Sequence, residues 1–377
     1  MLGAGKNCYA PMMGFADFHG NATTVGALRQ SIAAGKLPSA TILAGPRGAG
    51  KYTLALMLTK TLRCLRKPLT HGLPDFCGEC DNCVRLAACD DLNTRVEEAV
   101  NAREDMRDAD KKDTRILIQS DPDVLIIPQD PPQLLIKLGQ VRTVIERSRR
   151  HPAEGNVRVF IFTAATFMKE AANSLLKVLE EPGDFAHFFL LAEHPGELLP
   201  TIRSRCAMFR LYPLPAAELA ALLEKHRPEW PQKQRELVAR LAEGSVGRAL
   251  GFDLPAYQAA RADALALLKS SLDTADHTTL FKMTEAYRGG ADGQQKTLAL
   301  LRGTSSLLED LTMLQHGAPS LVKNHDMQGE LERLAGQTSF EWIDAALHGL
   351  AEVESGMRRN VLRNLSLDAL AGRMEGA

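Results

Sequence analysis

A glycine-rich loop at residues 45–53 reads Gly-Pro-Arg-Gly-Ala-Gly-Lys-Tyr-Thr and limits the possible folds more than any other segment. It matches the phosphate-binding pattern G-x-x-x-x-G-K-[ST] at Gly45, Gly50 and Lys51, but its last position holds Tyr52. In this pattern the glycines let backbone N–H groups surround a phosphate, and a short hydroxyl binds Mg²⁺. A phenol is too long for that position. The loop therefore predicts a nucleotide-binding scaffold that lacks one part of its catalytic machinery.

The segments beside the loop fit a phosphate-binding loop between a strand and a helix. Ala40–Ala44 is a short apolar run, and 52–63 places leucines on one helical face. The alternative is a glycine turn that binds no ligand. If the loop holds a nucleotide, the contacts come from Gly45, Gly48, Gly50 and Lys51.

Apolar strand candidates alternate with helical patterns in the following part of the chain. This alternation predicts an α/β domain built on a parallel sheet. The further strand candidates are 124–127, 157–163, 186–192 and 207–211, and the helical segments between them include 136–150 and 168–180.

The strand candidate 157–163 lacks an acidic residue at its end. A P-loop ATPase needs a carboxylate at such a strand end to hold Mg²⁺ and to polarise water. Here the strand continues into Thr163-Ala164-Ala165-Thr166. Together with Tyr52, this predicts that both Mg²⁺-handling elements are missing and argues against an active hydrolase.

The segment Ser204-Arg205-Cys206 contains a candidate catalytic arginine. An arginine at a domain edge can stabilise the charge that develops on a neighbour's γ-phosphate, an effect worth about 10³–10⁵ in rate in GTPases. The alternative is an ordinary surface arginine in a salt bridge.

Seven cysteines are present, and four of them have metal-ligand spacing: Cys64-x₁₂-Cys77-x₂-Cys80-x₂-Cys83. Two-residue gaps let thiolates converge on one tetrahedral ion, so we expect a structural zinc module at 64–83. Cys89 competes with Cys64 as the fourth ligand. Four thiolates leave no open coordination position, so the zinc is expected to have no catalytic role.

Composition excludes several classes of protein. The net charge is -1, so any DNA contact must come from a local patch, such as the basic segment from Lys137 to Arg150 or an ordinary solvated face there. No apolar run reaches the roughly 18 residues of a membrane span. Residues 1–13 resemble no signal peptide and are expected to be a disordered leader, with Met12 or Met13 as an alternative start. A cytoplasmic location is expected by default.

The character of the chain changes after Pro213. Short helical patterns follow, and from Pro255 onward the sequence is rich in leucine and alanine at helical spacing. We therefore predict a P-loop domain at 14–212, a small helical domain at 213–254 and a larger helical domain at 255–377. The stretch from Asp90 to Asp113 is highly charged and is expected to be a solvated helix or a mobile loop.

Taken together, these segments resemble the bacterial clamp-loader family of AAA+ proteins over about residues 14–250. The segments that carry the resemblance most specifically are 171–182 (Ala-Ala-Asn-Ser-Leu-Leu-Lys-Val-Leu-Glu-Glu-Pro) and 199–206 (Leu-Pro-Thr-Ile-Arg-Ser-Arg-Cys). Within the family, the altered P-loop, the missing acidic motif and the retained Ser-Arg-Cys segment resemble the non-hydrolysing delta-prime branch. The gamma/tau branch hydrolyses ATP.

The resemblance implies properties that composition does not. The region 213–254 would be a lid, and 255–377 a collar that joins a hetero-pentamer with gamma/tau and delta subunits. Arg205 would complete the ATP site of a neighbouring gamma/tau subunit. The assembly would open a ring-shaped sliding clamp and place it on primer-template DNA as part of the DNA polymerase III holoenzyme.

Two alternatives stay open from sequence. One is a divergent gamma/tau-like ATPase that hydrolyses ATP through unusual ligands. The other is a zinc-containing adaptor outside replication that uses the scaffold for protein contacts alone.

Overall fold

The computed structural model describes residues 14–131, 133–272, 278–287, 290–357 and 362–375. The predicted leader at 1–13 lies outside them. The chain divides into two compact units. Of the described residues, those from 14 to 215 form one unit together with Gly244–Arg248, and Ala216–Glu243 and the described residues from Ala249 onward form the other.

The first unit is built on a six-stranded sheet with the strand order β4-β5-β6-β7-β1-β8. All neighbouring strands in it are parallel except β4 and β5, which are antiparallel. β2 and β3 form a separate two-stranded sheet inside the cysteine-rich insert, which is the segment from Cys64 to Cys89. The strands are β1 (Ala40–Ala44), β2 (Leu69–Thr70), β3 (Leu73–Pro74), β4 (Ile118–Asp121), β5 (Val124–Ile127), β6 (Arg158–Phe162), β7 (Ala186–Ala192) and β8 (Ala207–Arg210).

Helices cover both faces of this sheet. Alternate strand residues enter two separate cores: Leu43 and Phe189 belong to one, and Ile42 and Phe188 to the other. Burial on both faces explains why these strands are continuous apolar runs. The helices of this unit are α1 (Ala22–Ala33), α2 (Lys51–Arg63), α3 (Asp81–Ala87), α4 (Leu92–Glu104), α5 (Asp108–Asp113), α6 (Leu138–Ser148), α7 (Lys169–Glu180) and α8 (Pro200–Arg203).

The predicted α/β class with a mainly parallel sheet is confirmed. The charged stretch from Asp90 to Asp113 forms α4 and α5, and the side chain of Arg103 is buried against Asp130 at 2.6 Å. The glycine-rich loop leaves the carboxyl end of β1, which lies between β7 and β8. Ligands of open α/β sheets bind at the carboxyl ends of the parallel strands. The fold therefore places the loop beside the turns that follow β7 and β8.

The second unit is helical, and α11 (Val246–Leu250) spans the boundary between the two units. A leucine-rich core extends from Ala264 to Met374. The division into domains at 213–254 and 255–377 stays a prediction. Among the described residues, every helix is too short or too polar to cross a membrane. The remaining helices are α9 (Ala216–His226), α10 (Gln232–Leu241), α12 (Leu254–Ser270), α13 (Thr278–Glu285), α14 (Gly290–Gln315), α15 (Gln328–Ala335), α16 (Phe340–Met357) and α17 (Arg363–Glu375).

Candidate functional site

The glycine-rich loop has the backbone shape of a phosphate loop. Gly48 and Gly50 both have φ of 81°, the left-handed region that favours glycine. Gly48 also has no room for a side chain, because an added Cβ would lie 2.0 Å from Oγ of Ser245. The Ser245 hydroxyl donates a hydrogen bond to the carbonyl of Gly48 at 3.2 Å. The loop is therefore packed against Gly244–Arg248 of the same unit.

Lys51 is folded back onto the loop that precedes it. Its ammonium donates hydrogen bonds to the carbonyl oxygens of Gly45 at 2.6 Å and Pro46 at 2.9 Å. Burial lowers the pKa of Lys51, while the carboxylates of Glu193 and Glu197 act in the opposite direction. The charge that would meet a phosphate is thus engaged by acceptors of the chain itself.

The Tyr52 phenol points away from the position of the missing Mg²⁺ ligand. Its hydroxyl donates to the carbonyl of Cys89 at 2.7 Å, and burial raises the pKa of Tyr52 well above its usual value. The phenol therefore links the start of α2 to the cysteine-rich insert and is committed to a structural contact.

Two strands near the loop differ in the residues that follow them. Glu193 and Glu197 follow β7, whereas the turn after β6, residues 163–166, has no acidic residue. Glu197 accepts hydrogen bonds from the backbone N–H groups of Glu193 and His194, at 3.2 and 3.3 Å, which fixes the turn after β7. After β6, Thr166 accepts a hydrogen bond from the Gln129 amide at 2.6 Å. The carboxylates here face Lys51, the residue expected to attract phosphate.

Arg205 lies just after α8, and its side chain is 33% exposed. Its Nη1 donates to the carbonyl of Thr201 at 2.8 Å and to Oγ of Ser204 at 3.3 Å. Its Nη2 lies 2.5 Å from Oε1 of Glu180, the last residue of α7. Sequence reasoning did not identify Glu180 as a partner, because nothing in the spacing reveals a contact across 25 residues.

The insert brings together the four cysteines that their spacing singled out. The Sγ atoms of Cys64, Cys77, Cys80 and Cys83 all lie within 4.8 Å of one another. Cys89 lies outside this cluster, and its Sγ is 3.0 Å from Oγ of Ser120. Of the two candidates for the fourth member, the geometry therefore selects Cys64.

Backbone N–H groups surround the sulfurs of this cluster. Those of Lys67 and Cys77 donate to Sγ of Cys64, at 3.3 and 3.4 Å, and that of Cys80 donates to Sγ of Cys77 at 3.3 Å. Burial opposes ionisation of Cys80, but hydrogen bonds from Leu65 and Cys83 lower its pKa to about 6. Burial and the hydrogen bond with Cys80 hold the pKa of Cys83 well above its usual value, so of these two thiols only Cys80 favours the thiolate, the form of cysteine that binds metal.

A buried ion network attaches the cluster to the sheet. Arg63 ends α2 next to Cys64, and its side chain is 1% exposed. Its guanidinium lies 3.1 Å from carboxylate oxygens of both Asp121 and Asp123, which are fully buried. Arg158 of β6 reaches Asp123 at 2.9 Å. These contacts fix the cysteine-rich insert against the edge strands.

The basic segment considered for DNA contact is only partly helical. Lys137 precedes α6 and pairs with Asp130 at 3.0 Å, and Arg147 donates to Gln119 at 2.6 Å. Arg142 and Arg149 are exposed. Arg150 pairs with Glu146, so three of the five basic side chains are used within the chain, and Arg142 and Arg149 remain the candidates for a phosphate backbone.

Comparison with known proteins shows the family. A family profile described as "DNA polymerase III, delta subunit" matches residues 20–215, just over half of the chain. The chain belongs to this family, which confirms the resemblance to bacterial clamp-loader subunits.

Individual relatives include both branches of the clamp loader. DNA polymerase III subunit delta' of Escherichia coli is 30% identical over 250 residues, which cover 64% of this chain and 71% of the relative. The delta' subunit of Pseudomonas aeruginosa is 31% identical over 54% of this chain and 52% of its own length. Subunit tau of Escherichia coli is 29% identical over 63% of this chain, but only 32% of tau is matched.

Proposed function

We propose that this chain is a delta-prime-type subunit of the replicative clamp loader that does not hydrolyse ATP itself and supplies Arg205 to a neighbouring ATP site. The observation that carries the first part is the Tyr52 side chain, whose hydroxyl donates to the carbonyl of Cys89 at 2.7 Å. The position next to Lys51 therefore offers Mg²⁺ no short hydroxyl.

Two further features, both near the loop, weigh against hydrolysis by this chain. The strand β6 runs into Thr163 without a carboxylate. Glu193 and Glu197 place negative charge near Lys51, where it would repel a triphosphate.

Arg205 is suited to act on a partner because it is partly exposed and held by its own chain. In the proposed complex it points to the γ-phosphate bound by a gamma/tau subunit and stabilises charge as the phosphoryl group transfers. The helical lid at 213–254 and the collar at 255–377 would hold this geometry within a hetero-pentamer that also contains delta. The sliding clamp and primed DNA are the further partners, and a cytoplasmic location follows from this role.

We also propose that the four cysteines hold one structural zinc ion. A tetrahedral site with Zn–S bonds of about 2.3 Å separates its sulfurs by about 3.8 Å, which fits atoms that all lie within 4.8 Å. The N–H groups aimed at Cys64 and Cys77 are the support that metal thiolates require. The ion would fix the insert and leave no position for substrate.

The test of the arginine uses a complex reconstituted with gamma/tau and delta subunits, sliding clamp and primed DNA. Arg205→Ala should lower ATP turnover by about tenfold or more. Arg205→Lys should recover little, because a point charge cannot replace the planar guanidinium. Size-exclusion chromatography should show intact complexes for both variants. Unchanged turnover in an intact Arg205→Ala complex would reject the proposed role.

The second candidate, a gamma/tau-like ATPase, is favoured by the pattern matches at Gly45, Gly50 and Lys51 and by the similarity to tau. It predicts that the purified chain alone hydrolyses ATP and that Lys51→Ala abolishes this activity. We expect no phosphate release above the buffer control from either form of the isolated chain.

A further inference from the structure

The guanidinium proposed to act in trans is held by Glu180, which lies in the segment 171–182 and to which the sequence pattern assigns no role. We propose that Glu180 is a positioning residue for Arg205, which fixes the arginine side chain before the neighbouring nucleotide arrives. This inference rests on the proposed function of Arg205. Its basis is the 2.5 Å separation between Oε1 of Glu180 and Nη2 of Arg205.

Glu180 occupies a helix position that is unfavourable for a negative charge. It is the last residue of α7, where the helix dipole favours cations. Arg205 brings a positive charge to this helix end from the segment that follows α8. The pair therefore offsets an electrostatic cost within α7 and joins two elements that are distant in sequence.

The guanidinium is fixed from two sides. On one side Nη2 meets Glu180, and on the other Nη1 donates to the carbonyl of Thr201 and to Oγ of Ser204. Arginine has many rotamers, and ordering them opposes any interaction that needs a single one. Contacts that select one rotamer in advance reduce the entropy that Arg205 loses when it meets the phosphate. Preorganised groups stabilise transition states in this way.

The Arg205–Glu180 ion pair is also weak enough for a phosphate to replace Glu180 as the partner of Arg205. The side chains of Arg205 and Glu180 are 33% and 47% exposed, and ion pairs at such exposure are weak. A Mg²⁺-bound triphosphate carries more charge and offers several acceptor oxygens. Glu180 can thus orient the guanidinium without holding it away from a stronger anion.

Glu181 provides a matched control. It is the next residue, it is exposed, and the part of the chain that the structure describes shows no ion pair for it. Glu180→Gln and Glu181→Gln remove the same charge from adjacent surface positions. Both variants are compared in the reconstituted complex described above, with kcat and KM for ATP measured separately.

We expect Glu180→Gln to lower kcat by about three- to tenfold, the effect of releasing one long side chain, with KM for ATP unchanged. Glu181→Gln should match the unmodified complex. In an Arg205→Ala background, Glu180→Gln should have no further effect, because there is no guanidinium left to position.

The outcomes separate this inference from the function on which it rests. If Arg205→Ala leaves turnover unchanged, the proposed function fails. If Arg205→Ala lowers turnover but Glu180→Gln leaves kcat unchanged or raises it, only the positioning role is overturned. A loss on Glu180→Gln that persists at full size in the Arg205→Ala background would also overturn it, since it would indicate a structural defect.

Discussion

Helix α2 carries a ligand-binding motif at each end, and the two ends differ in where their polar groups point. At its first residue, Lys51 donates to the carbonyls of the preceding loop. At its other end, the Cys64 thiol lies with three other thiols and accepts N–H hydrogen bonds from the insert. One motif has its polar groups satisfied internally, whereas the other has four donor atoms facing a common point.

A motif match and a usable site are separate properties of a sequence. The glycine loop matches its pattern at three defined positions, and the backbone has the left-handed glycines that the pattern implies. Its lysine nevertheless bonds to its own loop. The cysteine spacing is matched as well, and there the side chains do converge. The glycine loop and the cysteine cluster differ in where their ligand-binding atoms point, namely the Lys51 ammonium and the four sulfurs.

The largest effect is expected at the cysteine end. Cys80→Ser should reduce bound zinc from about one ion per chain to near none and lower the free energy of unfolding by about 3 kcal/mol or more, because metal binding is coupled to folding. Metal analysis and denaturant unfolding of protein purified under reducing conditions measure both quantities.

Cys89→Ser is the matched control for the zinc site. Cys89 is a buried cysteine of the same region, but its Sγ contacts Ser120 rather than the cluster. Its substitution should leave the zinc content unchanged. Loss of zinc from Cys89→Ser, or a wild-type chain without zinc, would contradict the assignment of Cys64 as the fourth ligand or of the whole site.

The next largest effect is expected at Arg63, whose guanidinium attaches the last residue of α2 to the edge of the sheet. Arg63→Met should lower the free energy of unfolding by about 3 kcal/mol, the low end for a broken buried ion pair, because Asp123 keeps Arg158 and Asp121 keeps only Arg85, at 3.5 Å. Arg66→Met is the control, since the Arg66–Glu79 pair is exposed and contributes little. Equal losses in the two variants would show that the buried network does not anchor the insert.

Much of the fold could be predicted from sequence because burial leaves a pattern. β1, β5 and β7 are buried on both faces and read as continuous apolar runs with the bounds that the structure has. β4 reads Ile-Gln-Ser-Asp and pairs antiparallel at the sheet edge, so it shows no such run. β2 and β3 have two residues each, too few for any periodicity.

The candidate site was predictable in its residue types and less so in its contacts. The segment around Arg205 and its family resemblance pointed to that residue. Spacing identified the four-cysteine set but left Cys64 and Cys89 as rivals, because both border the insert. The tertiary fold decides, since it turns Cys89 toward Ser120 of β4. The position of Glu180 beside Arg205 depends on how α7 and α8 pack, which no local pattern encodes.

A smaller effect is expected for the hydrogen bond that joins Tyr52, in the first turn of α2, to the cysteine-rich insert. Tyr52→Phe removes the hydrogen bond to the Cys89 carbonyl and should lower the free energy of unfolding by about 1 kcal/mol. The zinc content should not change, because Cys89 is outside the cluster. Denaturant unfolding and metal analysis test both points. A loss of zinc would mean that the phenol supports the metal site directly, and the two ends of α2 would then be coupled rather than independent.

The smallest effect is expected at Lys51, and it bears most directly on the contrast between the ends of α2. A ligand present at 100 times its Kd stabilises a protein by about 2.7 kcal/mol, which a thermal melt detects easily. We expect millimolar Mg²⁺-ATP to leave the Tm of the isolated chain unchanged, in the wild type and in Lys51→Ala alike. In the reconstituted complex, Lys51→Ala should change turnover less than about twofold, while Arg205→Ala lowers it much further. A rise in Tm that requires Lys51 would show that the ammonium leaves Gly45 and Pro46 to meet a phosphate, and the loop would then be a working site like the cysteine cluster.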